Sequence, residues 1–370
     1  MCVTNRTQKG NFNLKFSFFT ESTPPLIGID ISSTSVKMVE LANDGRGGYR
    51  LEGYSISPLA KDAMVDGNVS DLGRVADAIK LAWKLLGSRE KRAALALPSS
   101  AVISKKVLMA ADLREEDMEM QVEAEANQYI PFSLDEVNID FQVIGPAPNS
   151  PDEVEVLIAA ARKEKIEDRV AAAEGAGLKV IVMDVETYAT EAAYSLVASQ
   201  LPNAGSEQTV MIVDIGASMM NINVLHDNKS VYTREQSFGG GQLTQEIQRR
   251  FGLSLEEAEV AKRKGGLPES YETEVLQPFV QLLAMEVARA LQFFTSSTQY
   301  NRVDHIVLAG GCAAIPAIDA MVQDRTQVHT VVANPFQGMA VSTRLRQQQA
   351  AIDAPALLIA CGLAMRGLEI

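Results

Sequence analysis

The stretch Gly-Ile-Asp-Ile-Ser-Ser-Thr-Ser-Val-Lys at Gly28–Lys37 decides the fold, because a shorter version of it, Val-Asp-Ile-Gly-Ala-Ser, returns at Val213–Ser218. Each copy predicts an apolar strand that ends in one aspartate and a turn of small residues. The carboxylate suits a hydrated magnesium ion, and the small residues leave backbone N–H groups and hydroxyls open to phosphate oxygens. One such turn is common as plain architecture, but the pair indicates a site that holds a nucleoside triphosphate from two sides.

The composition is that of an ordinary globular protein and argues against nucleic-acid-binding and metal-binding proteins. The chain has 370 residues, of which 46% are hydrophobic and 22% are charged, so we expect two or more domains with their own cores. The net charge of −13 argues against a nucleic-acid-binding surface. The three cysteines lack the spacing of a metal site, and their small number fits a reducing compartment.

The sequence predicts neither a membrane-spanning helix nor a secretory signal. The longest apolar run, Ala354–Met365, contains Pro355 and Gly362 and is shorter than the roughly 20 residues of a spanning helix. Residues 1–24 lack the continuous apolar core of a signal peptide. We therefore expect them to form a disordered leader, with the fold opening at Leu26.

Hydrophobic periodicity predicts two strand-rich halves, the first of which carries an insertion. In the first half we expect three strands within 26–57 and then the helix Leu72–Leu86, with an apolar stripe of Leu72, Val75, Ala76, Ile79 and Trp83. The acidic helix Arg114–Tyr129, further strands and the helix Lys163–Ala176 form the insertion. The second half restarts at Val210 and contains a long helix from Glu274 to Tyr300.

Two glycine motifs are candidate ligand-binding turns. Gly239-Gly240-Gly241 precedes a helix, whose N-terminal amides suit an anion. Gly310-Gly311-Cys312 follows the strand His305–Leu308, where glycines let a flat ligand approach the backbone. A tight connection between elements explains either motif equally well, so both readings remain open at this point.

A few charged residues are candidates for chemistry. Glu286 and Arg289 are three residues apart on a predicted helix and share a face, which is also the pattern of an exposed ion pair. Glu186 opens a helix, where the helix dipole alone favours a carboxylate. The three histidines do not have the spacing of a metal site, and neither a nucleophilic triad nor a Walker lysine is present, so covalent chemistry is not expected.

The order of these motifs resembles the superfamily of actin, heat-shock ATPases and sugar kinases, and an insertion in the first half alone is similar to its FtsA branch. Within that branch the chain resembles the PilM family of type IV pilus assembly proteins. The resemblance rests on five segments, which are Leu26–Leu41, Glu125–Phe132, Ala159–Glu164, Gly175–Glu186 and Ser237–Ile247.

The resemblance implies an α/β fold of the actin-like, ribonuclease H-like type, with two domains and an FtsA-type inserted subdomain. Domain I would comprise residues 25–97, 179–206 and 354–370. The inserted subdomain would be 98–178, and domain II would be 207–353.

The resemblance also implies roles for the site residues around ATP and Mg²⁺. Asp30 and Asp214 would face the magnesium ion through water, and Glu186 would hold or polarise the attacking water. The remaining nucleotide contacts would come from three sets: Ser33, Thr34 and Lys37 for the β-phosphate; Gly216, Ala217, Ser218 and Gly239–Gly241 for the opposite side; and Glu286, Arg289, Gly310, Gly311 and Cys312 for the ribose and adenine. Ser32 replaces a glycine usual in the family, and Ala217-Ser218 replaces Gly-Gly or Asp-Gly, so the chain is at most a slow ATPase.

By the same resemblance we expect the protein to be cytoplasmic and peripheral at the inner membrane, and to support pilus assembly and twitching motility. It would bind the N-terminal cytoplasmic peptide of PilN in a groove lined partly by Val102–Met109 and Arg114–Tyr129. Other pilus platform and motor proteins and a second copy of the chain are further candidate partners; nucleic acid and direct membrane insertion are not expected. A sugar or acetate kinase and an FtsA-like cell-division filament protein are the alternatives.

Overall fold

A computed structural model describes residues 25–147 and 150–368, so the expected leader at 1–24 lies outside the described residues. The chain divides into two compact units. Of the described residues, the first unit contains 25–47, 52–147, 150–189 and 363–368, and the second contains Gly48–Leu51 and Thr190–Gly362.

The first unit contributes five strands to its main sheet, and helices pack against them. Its elements in chain order are β1 (Ile27–Ile31), β2 (Ser35–Asn43), β3 (Tyr49–Pro58), β4 (Met64–Val65), β5 (Asn68–Val69), α1 (Leu72–Leu86), β6 (Arg92–Leu97), β7 (Val102–Ala110), α2 (Glu115–Tyr129), β8 (Val137–Ala147), β9 (Ser150–Arg162), α3 (Lys163–Gly175), β10 (Lys179–Val185) and the start of α4 (Glu186–Val197), most of which belongs to the second unit. The sheet has the order β10-β6-β1-β2-β3. Strands β1, β6 and β10 are parallel to one another, so their carboxyl ends share one edge.

The helix α1 illustrates how local sequence sets these elements. The Asp71 side chain caps its N-terminus by accepting from the Arg74 amide at 3.0 Å, and Gly87 ends it in the left-handed conformation with φ of 69°. The buried stripe is Val75, Ala78, Ile79, Ala82 and Leu86. The expected stripe began at Leu72, which is wrong, because Leu72 lies in the first turn and is 44% exposed.

The insertion forms a small sheet of its own, with strand order β7-β9-β8 and helix α2 against one face. Its core consists mainly of Met109, Met118, Val122, Val156 and Ile158. We call Val102–Arg162 the inserted sheet.

Helix α3 was expected to belong to the inserted subdomain 98–178, but its packing differs. Its apolar residues Ile166, Ala172 and Ala173 lie in the main core of the first unit, together with residues of α1 and the main sheet. The part of the insertion with a separate core therefore ends at Arg162.

The second unit repeats the strand arrangement of the first. Its elements are β11 (Thr209–Ile215), β12 (Met220–His226), β13 (Lys229–Gln236), α5 (Gly240–Phe251), α6 (Leu255–Lys264), α7 (Gln277–Ser297), β14 (His305–Ala309), α8 (Ile318–Thr326), β15 (His329–Val332), β16 (Ala340–Val341), α9 (Gln347–Asp353) and α10 (Leu358–Met365). The main sheet has the order β13-β12-β11-β14-β15, with β14 and β15 parallel to β11. This order matches β3-β2-β1-β6-β10, so the repeat seen in the sequence corresponds to a repeated topology.

One helical stretch of the described residues is long and apolar enough to be compared with a membrane span. It is Gln347–Met365, which has 19 residues, and 67% of its apolar window is buried inside the protein. Core helices of globular proteins share this property, so the stretch is weak evidence for a span.

Candidate functional site

Asp30 lies near the carboxyl end of β1, where the first of the two repeated turns begins. Its side chain is only 4% exposed, and its Oδ2 atom is 2.8 Å from the Nζ atom of Lys37. The two residues are paired across the antiparallel strands β1 and β2. The sequence placed Lys37 at a phosphate, whereas the structure shows it in an ion pair with Asp30, so a phosphate contact by Lys37 stays a prediction.

The first turn is closed by its own serines. The Ser32 amide donates to the Ser35 carbonyl at 3.0 Å, and the Ser32 hydroxyl donates to the same oxygen at 3.0 Å. Ser33 and Thr34 form the tip of the turn and are half-buried. The departure from glycine at Ser32 thus adds a hydrogen bond that fixes the turn.

Glu186 begins α4 directly after β10, at the edge where β6 also ends. The preceding residue Val185 pairs with Leu97, and the hydroxyls of Ser99 and Thr187 are hydrogen-bonded just beyond that pair. Glu186 therefore lies at the carboxyl edge of the first-unit sheet, as does Asp30.

Arg169 of α3 is a buried cation at the same edge, and the sequence analysis missed it. Its side chain donates from Nε to the Ala96 carbonyl at 3.0 Å and from Nη2 to the Gly67 carbonyl at 2.7 Å. Burial lowers the pKa of the Arg169 guanidinium, and the negative charges of nearby carboxylates, among them Glu186 and Asp30, act in the opposite direction. The sequence feature that could have identified Arg169 as buried is its position three residues after Ile166, on the buried face of α3.

The second turn, which follows Asp214, is held by the start of α5. The Gly240 amide donates to the Gly216 carbonyl at 3.0 Å, and the Gly241 amide donates to the Ala217 carbonyl at 2.7 Å. The Gln242 amide donates to the Gly239 carbonyl at 3.1 Å. The amides of Gly240 and Gly241 therefore already have protein acceptors, which favours the tight-connection reading of this motif. An anion contact by Gly239–Gly241 stays a prediction.

Glycine is required at this junction because backbones approach closely. A Cβ atom at Gly239 would lie 2.6 Å from the carbonyl oxygens of both Gly216 and Ala217. Gly310 has φ of +85°, and a Cβ there would lie 2.4 Å from the Ile215 carbonyl oxygen. A Cβ at Gly311, by contrast, would have nothing within 4 Å, so of these glycines Gly311 leaves room for a ligand.

Cys312 closes the same junction from the other side. Its Sγ atom is 3.6 Å from the Gly216 carbonyl oxygen, and a Cβ at Gly240 would lie 2.8 Å from it. Burial raises the pKa of the Cys312 thiol to about 11, so the thiol is neutral at physiological pH. The side chain thus packs as a small apolar group.

Lys262 of α6 brings a charge beside the start of α5, which the sequence analysis also missed. Its Nζ atom is 2.7 Å from Oε1 of Glu259, 2.6 Å from the Thr244 hydroxyl and 3.4 Å from the Gly240 carbonyl oxygen. Burial acts to raise the pKa of Glu259, but hydrogen bonds from Lys262 and Thr244 outweigh it and hold the pKa below its usual value. The sequence did not single out Lys262 and Glu259, because α6 is rich in charged residues and has the pattern of a solvent-exposed helix.

The expected ion pair between Glu286 and Arg289 is present on α7. The Nη1 atom of Arg289 is 2.8 Å and 3.0 Å from the two carboxylate oxygens of Glu286, and the Gln236 side-chain amide donates to the same carboxylate. Glu286 is 8% exposed, whereas the Arg289 side chain is 62% exposed, so only the carboxylate side of the pair is buried. A clasp of these residues on ribose and adenine stays a prediction.

The predicted site residues thus form two groups, one in each unit. Asp30, Ser33, Thr34, Lys37 and Glu186 lie around one sheet edge of the first unit. In the second unit Asp214 pairs with Ala309, so the second turn, Gly239–Gly241 and Gly310–Cys312 lie together at the ends of β11 and β14. Across residues 25–147 and 150–368, no group of three or more histidine, cysteine, aspartate or glutamate residues is arranged to hold a metal ion directly.

Solved structures with a similar fold come from several actin-like proteins. The structure of a PilM-PilN type IV pilus biogenesis complex matches with a TM-score of 0.78 and 27% sequence identity, over 94% of this chain and 100% of the other. The ethanolamine utilization protein EutJ from Carboxydothermus hydrogenoformans matches with a TM-score of 0.55 and 16% identity, over 92% and 89%. An archaeal actin homolog matches with a TM-score of 0.50 and 11% identity, over 94% and 100%.

These likenesses confirm the actin-like α/β fold that the family resemblance implied. A sequence profile of the family described as type IV pilus assembly protein PilM matches residues 28–368, which is nearly the whole described chain. The chain therefore belongs to the PilM family of type IV pilus assembly proteins.

Proposed function

We propose that this protein is a scaffold of type IV pilus assembly that binds the N-terminal cytoplasmic segment of a PilN-type partner. The observation that carries the proposal is the likeness to the protein in the PilM-PilN complex, at 27% identity and over 94% of this chain. Membership of the family favours this scaffold over the sugar kinase and the cell-division filament protein that the sequence left open.

The inserted sheet is the proposed docking surface. Strand β7 is an edge strand of the order β7-β9-β8, and Leu108 on it is 52% exposed. An extended peptide can add to such an edge, with main-chain hydrogen bonds giving affinity and side-chain pockets giving specificity. We expect moderate affinity, because a disordered tail loses conformational entropy when it is ordered on binding.

The test is binding of a synthetic PilN-type tail to the full chain, measured by fluorescence anisotropy. Leu108→Asp should weaken binding at least tenfold, since a carboxylate would replace an apolar contact at the peptide edge. Leu85→Asp is the matched control, because Leu85 is similarly exposed at 58% and belongs to α1, a different element of the same unit. Unchanged binding by folded Leu108→Asp would place the groove elsewhere.

We further propose that the protein binds ATP with Mg²⁺ and hydrolyses it slowly. The support is the repeated aspartate turn in two sheets of the same topology, together with the room at Gly311. Asp30 and Asp214 would hold the magnesium ion through water, and the nucleotide would supply the phosphates. The expected changes in stability and turnover are given in the Discussion.

In this proposal the protein acts at the cytoplasmic face of the inner membrane and reaches the membrane through protein partners. Pilus assembly and twitching motility would then depend on the PilN-type contact. Loss of motility in cells carrying Leu108→Asp, with normal levels of the protein and with Leu85→Asp cells motile, is the expected result.

A further inference from the structure

The guanidinium of Arg169 is fixed by two neutral acceptors in the first unit. The side chain is 2% exposed, and its hydrogen bonds to the carbonyls of Ala96 and Gly67 use only two of its five N–H donors. The two bonds come from Nε and Nη2, so they fix the plane of the group and leave Nη1 for another acceptor.

Among the residues that the structure describes, the partners of the buried Arg169 guanidinium are neutral carbonyl groups. Burial of a cation is costly unless an anion lies close to it. In the described part of the chain, no carboxylate is within salt-bridge distance of Arg169; Glu186, Asp30 and Asp168 act on it only through longer-range attraction. Arg366, another largely buried arginine of this unit, is by contrast 2.7 Å from Oδ2 of Asp184.

The register of the main sheet places Arg169 at the edge that carries the first turn. Ala96, which accepts from its Nε, follows Leu95, and Leu95 pairs with Ile29, the residue before Asp30. Ala96 also pairs with Asp184, two residues before Glu186. Ligands of open α/β sheets bind beyond the carboxyl ends of parallel strands, which is where this cation lies.

Lys37 cannot serve both the buried carboxylate and a phosphate equally well. Its ammonium is committed to Asp30 at 2.8 Å, so the cation that the sequence assigned to a phosphate already has an anionic partner. Arg169 is a buried cation at the same edge, and within residues 25–147 and 150–368 it forms no ion pair.

We propose that Arg169 binds a phosphate group of the nucleotide at the first turn. This inference rests on the proposed nucleotide binding and names the cation that recognises the phosphates. A guanidinium held in advance by two carbonyls presents its remaining donors without reorganisation, and arginine matches phosphate oxygens geometrically. Its positive charge also offsets the field of a chain with net charge −13.

The test compares adenosine, AMP, ADP and ATP, each with Mg²⁺, by titration calorimetry on the full chain. For the wild type we expect affinity to rise with the number of phosphates. Arg169→Met should leave adenosine affinity within twofold and weaken ATP at least tenfold. Arg169→Lys, which keeps the charge but loses the fork of donors, should fall between the two.

Arg366→Met is the matched control, because it removes a largely buried arginine of the same unit that already has a carboxylate partner. It should lower the melting temperature without changing the ratio of ATP to adenosine affinity. A purely structural role for Arg169 predicts the same behaviour for Arg169→Met, and an unchanged ratio would overturn the inference. If Arg169→Met does not fold, an unchanged ratio of ATP to adenosine affinity in Arg169→Lys overturns the inference. Equal affinity of the wild type for adenosine and ATP also overturns it. A wild type that binds no nucleotide refutes the proposed nucleotide binding itself.

Discussion

At the scale of single residues, the ion pair between Asp30 and Lys37 is the most consequential contact of the candidate site. Both side chains are largely buried, and the pair joins two antiparallel strands at the start of the first turn. Removing one partner of a buried pair leaves an uncompensated charge, which costs more than the pair contributes when intact.

Lys37→Met should therefore lower the free energy of unfolding by about 3 kcal/mol. Denaturation in urea measures the change, and Lys84→Met, at an exposed position of α1, is the control. The double variant Asp30→Asn/Lys37→Met should recover much of the loss, because the buried charge is then removed. Equal stability of Lys37→Met and Lys84→Met would contradict this account.

His305 gives a pH dependence at the start of β14. Burial lowers its pKa, the neighbouring His329 lowers it further, and Asp304 acts in the opposite direction. The unfolded chain binds a proton near pH 6.5, whereas the folded chain binds it only at lower pH. Stability should therefore fall as the pH drops below about 6.5 and level off below the folded pKa. We expect His305→Asn to show a shallower decline between pH 7.5 and 5 in urea denaturation; an unaltered slope would exclude His305 as its source.

At the scale of elements, the glycines before α5 and after β14 differ in role. Some are needed for close packing of the backbone, and Gly311 leaves room for a ligand. Gly239 lies against two carbonyl oxygens, whereas Gly311 faces open space. Substitutions at Gly239 and Gly311 should therefore distinguish an effect on stability from an effect on ligand binding.

Gly239→Ala should destabilise the protein by roughly 1–3 kcal/mol, because its Cβ would overlap the second turn. Gly311→Ala should leave stability within about 0.5 kcal/mol, as substitutions without a packing conflict do, yet weaken nucleotide binding severalfold. Thermal melting and calorimetric titration of both variants check the two halves of the prediction. Gly311→Ala with wild-type affinity would show that the nucleotide does not approach this residue.

Sequence pattern predicted the long elements well and the short ones poorly. The strands around both aspartate turns and the helices α1 and α7 follow from periodicity. The bounds of α1 agree with the prediction, whereas the ends of α7 and of the strands shift by a few residues. The two-residue strands β4, β5 and β16 carry no detectable period. Strand β15 is defined by parallel pairing with β14, which is a contact between distant parts of the chain.

The candidate site was predictable as far as local sequence determines it. The two aspartates and their small-residue turns are local features, and both were found. The roles of Gly239 and Gly310 depend on carbonyl groups more than twenty residues away in the chain, so the sequence left them open. Arg169 was missed because α3 was assigned to the insertion by adjacency, whereas its packing against the main core brings the side chain to the carboxyl end of β6.

At the scale of the whole molecule, the two units contain sheets of the same order, each with one aspartate turn. We expect ATP with Mg²⁺ to stabilise the folded chain by mass action, by about 2.7 kcal/mol at a hundred times the dissociation constant. The rise in melting temperature should vanish in Asp214→Asn. Adenosine in place of ATP is the control for binding without phosphates, and calorimetry that detects no ATP binding by the wild type would refute the site.

Turnover should be slow because both turns depart from the glycine-rich pattern expected of active relatives. We expect steady-state phosphate release below about one per second, against a median of roughly 10 per second for enzymes. A faster rate that disappears in Glu186→Gln would indicate a motor or kinase in place of a scaffold. The comparison of wild type and Glu186→Gln also reports whether Glu186 acts on the attacking water.

The join between β9 and α3 has a mechanical consequence. Strand β9 ends at Arg162 and α3 begins at Lys163, so the central strand of the inserted sheet continues without a linker into a helix packed in the main core. A tensile load applied to the inserted sheet by a tethered peptide would therefore be transmitted along one continuous segment into the core. Under such a load we expect the inserted sheet to move together with the core and not to rotate about a flexible linker. This stiffness would suit a protein in an assembly where a growing pilus exerts force.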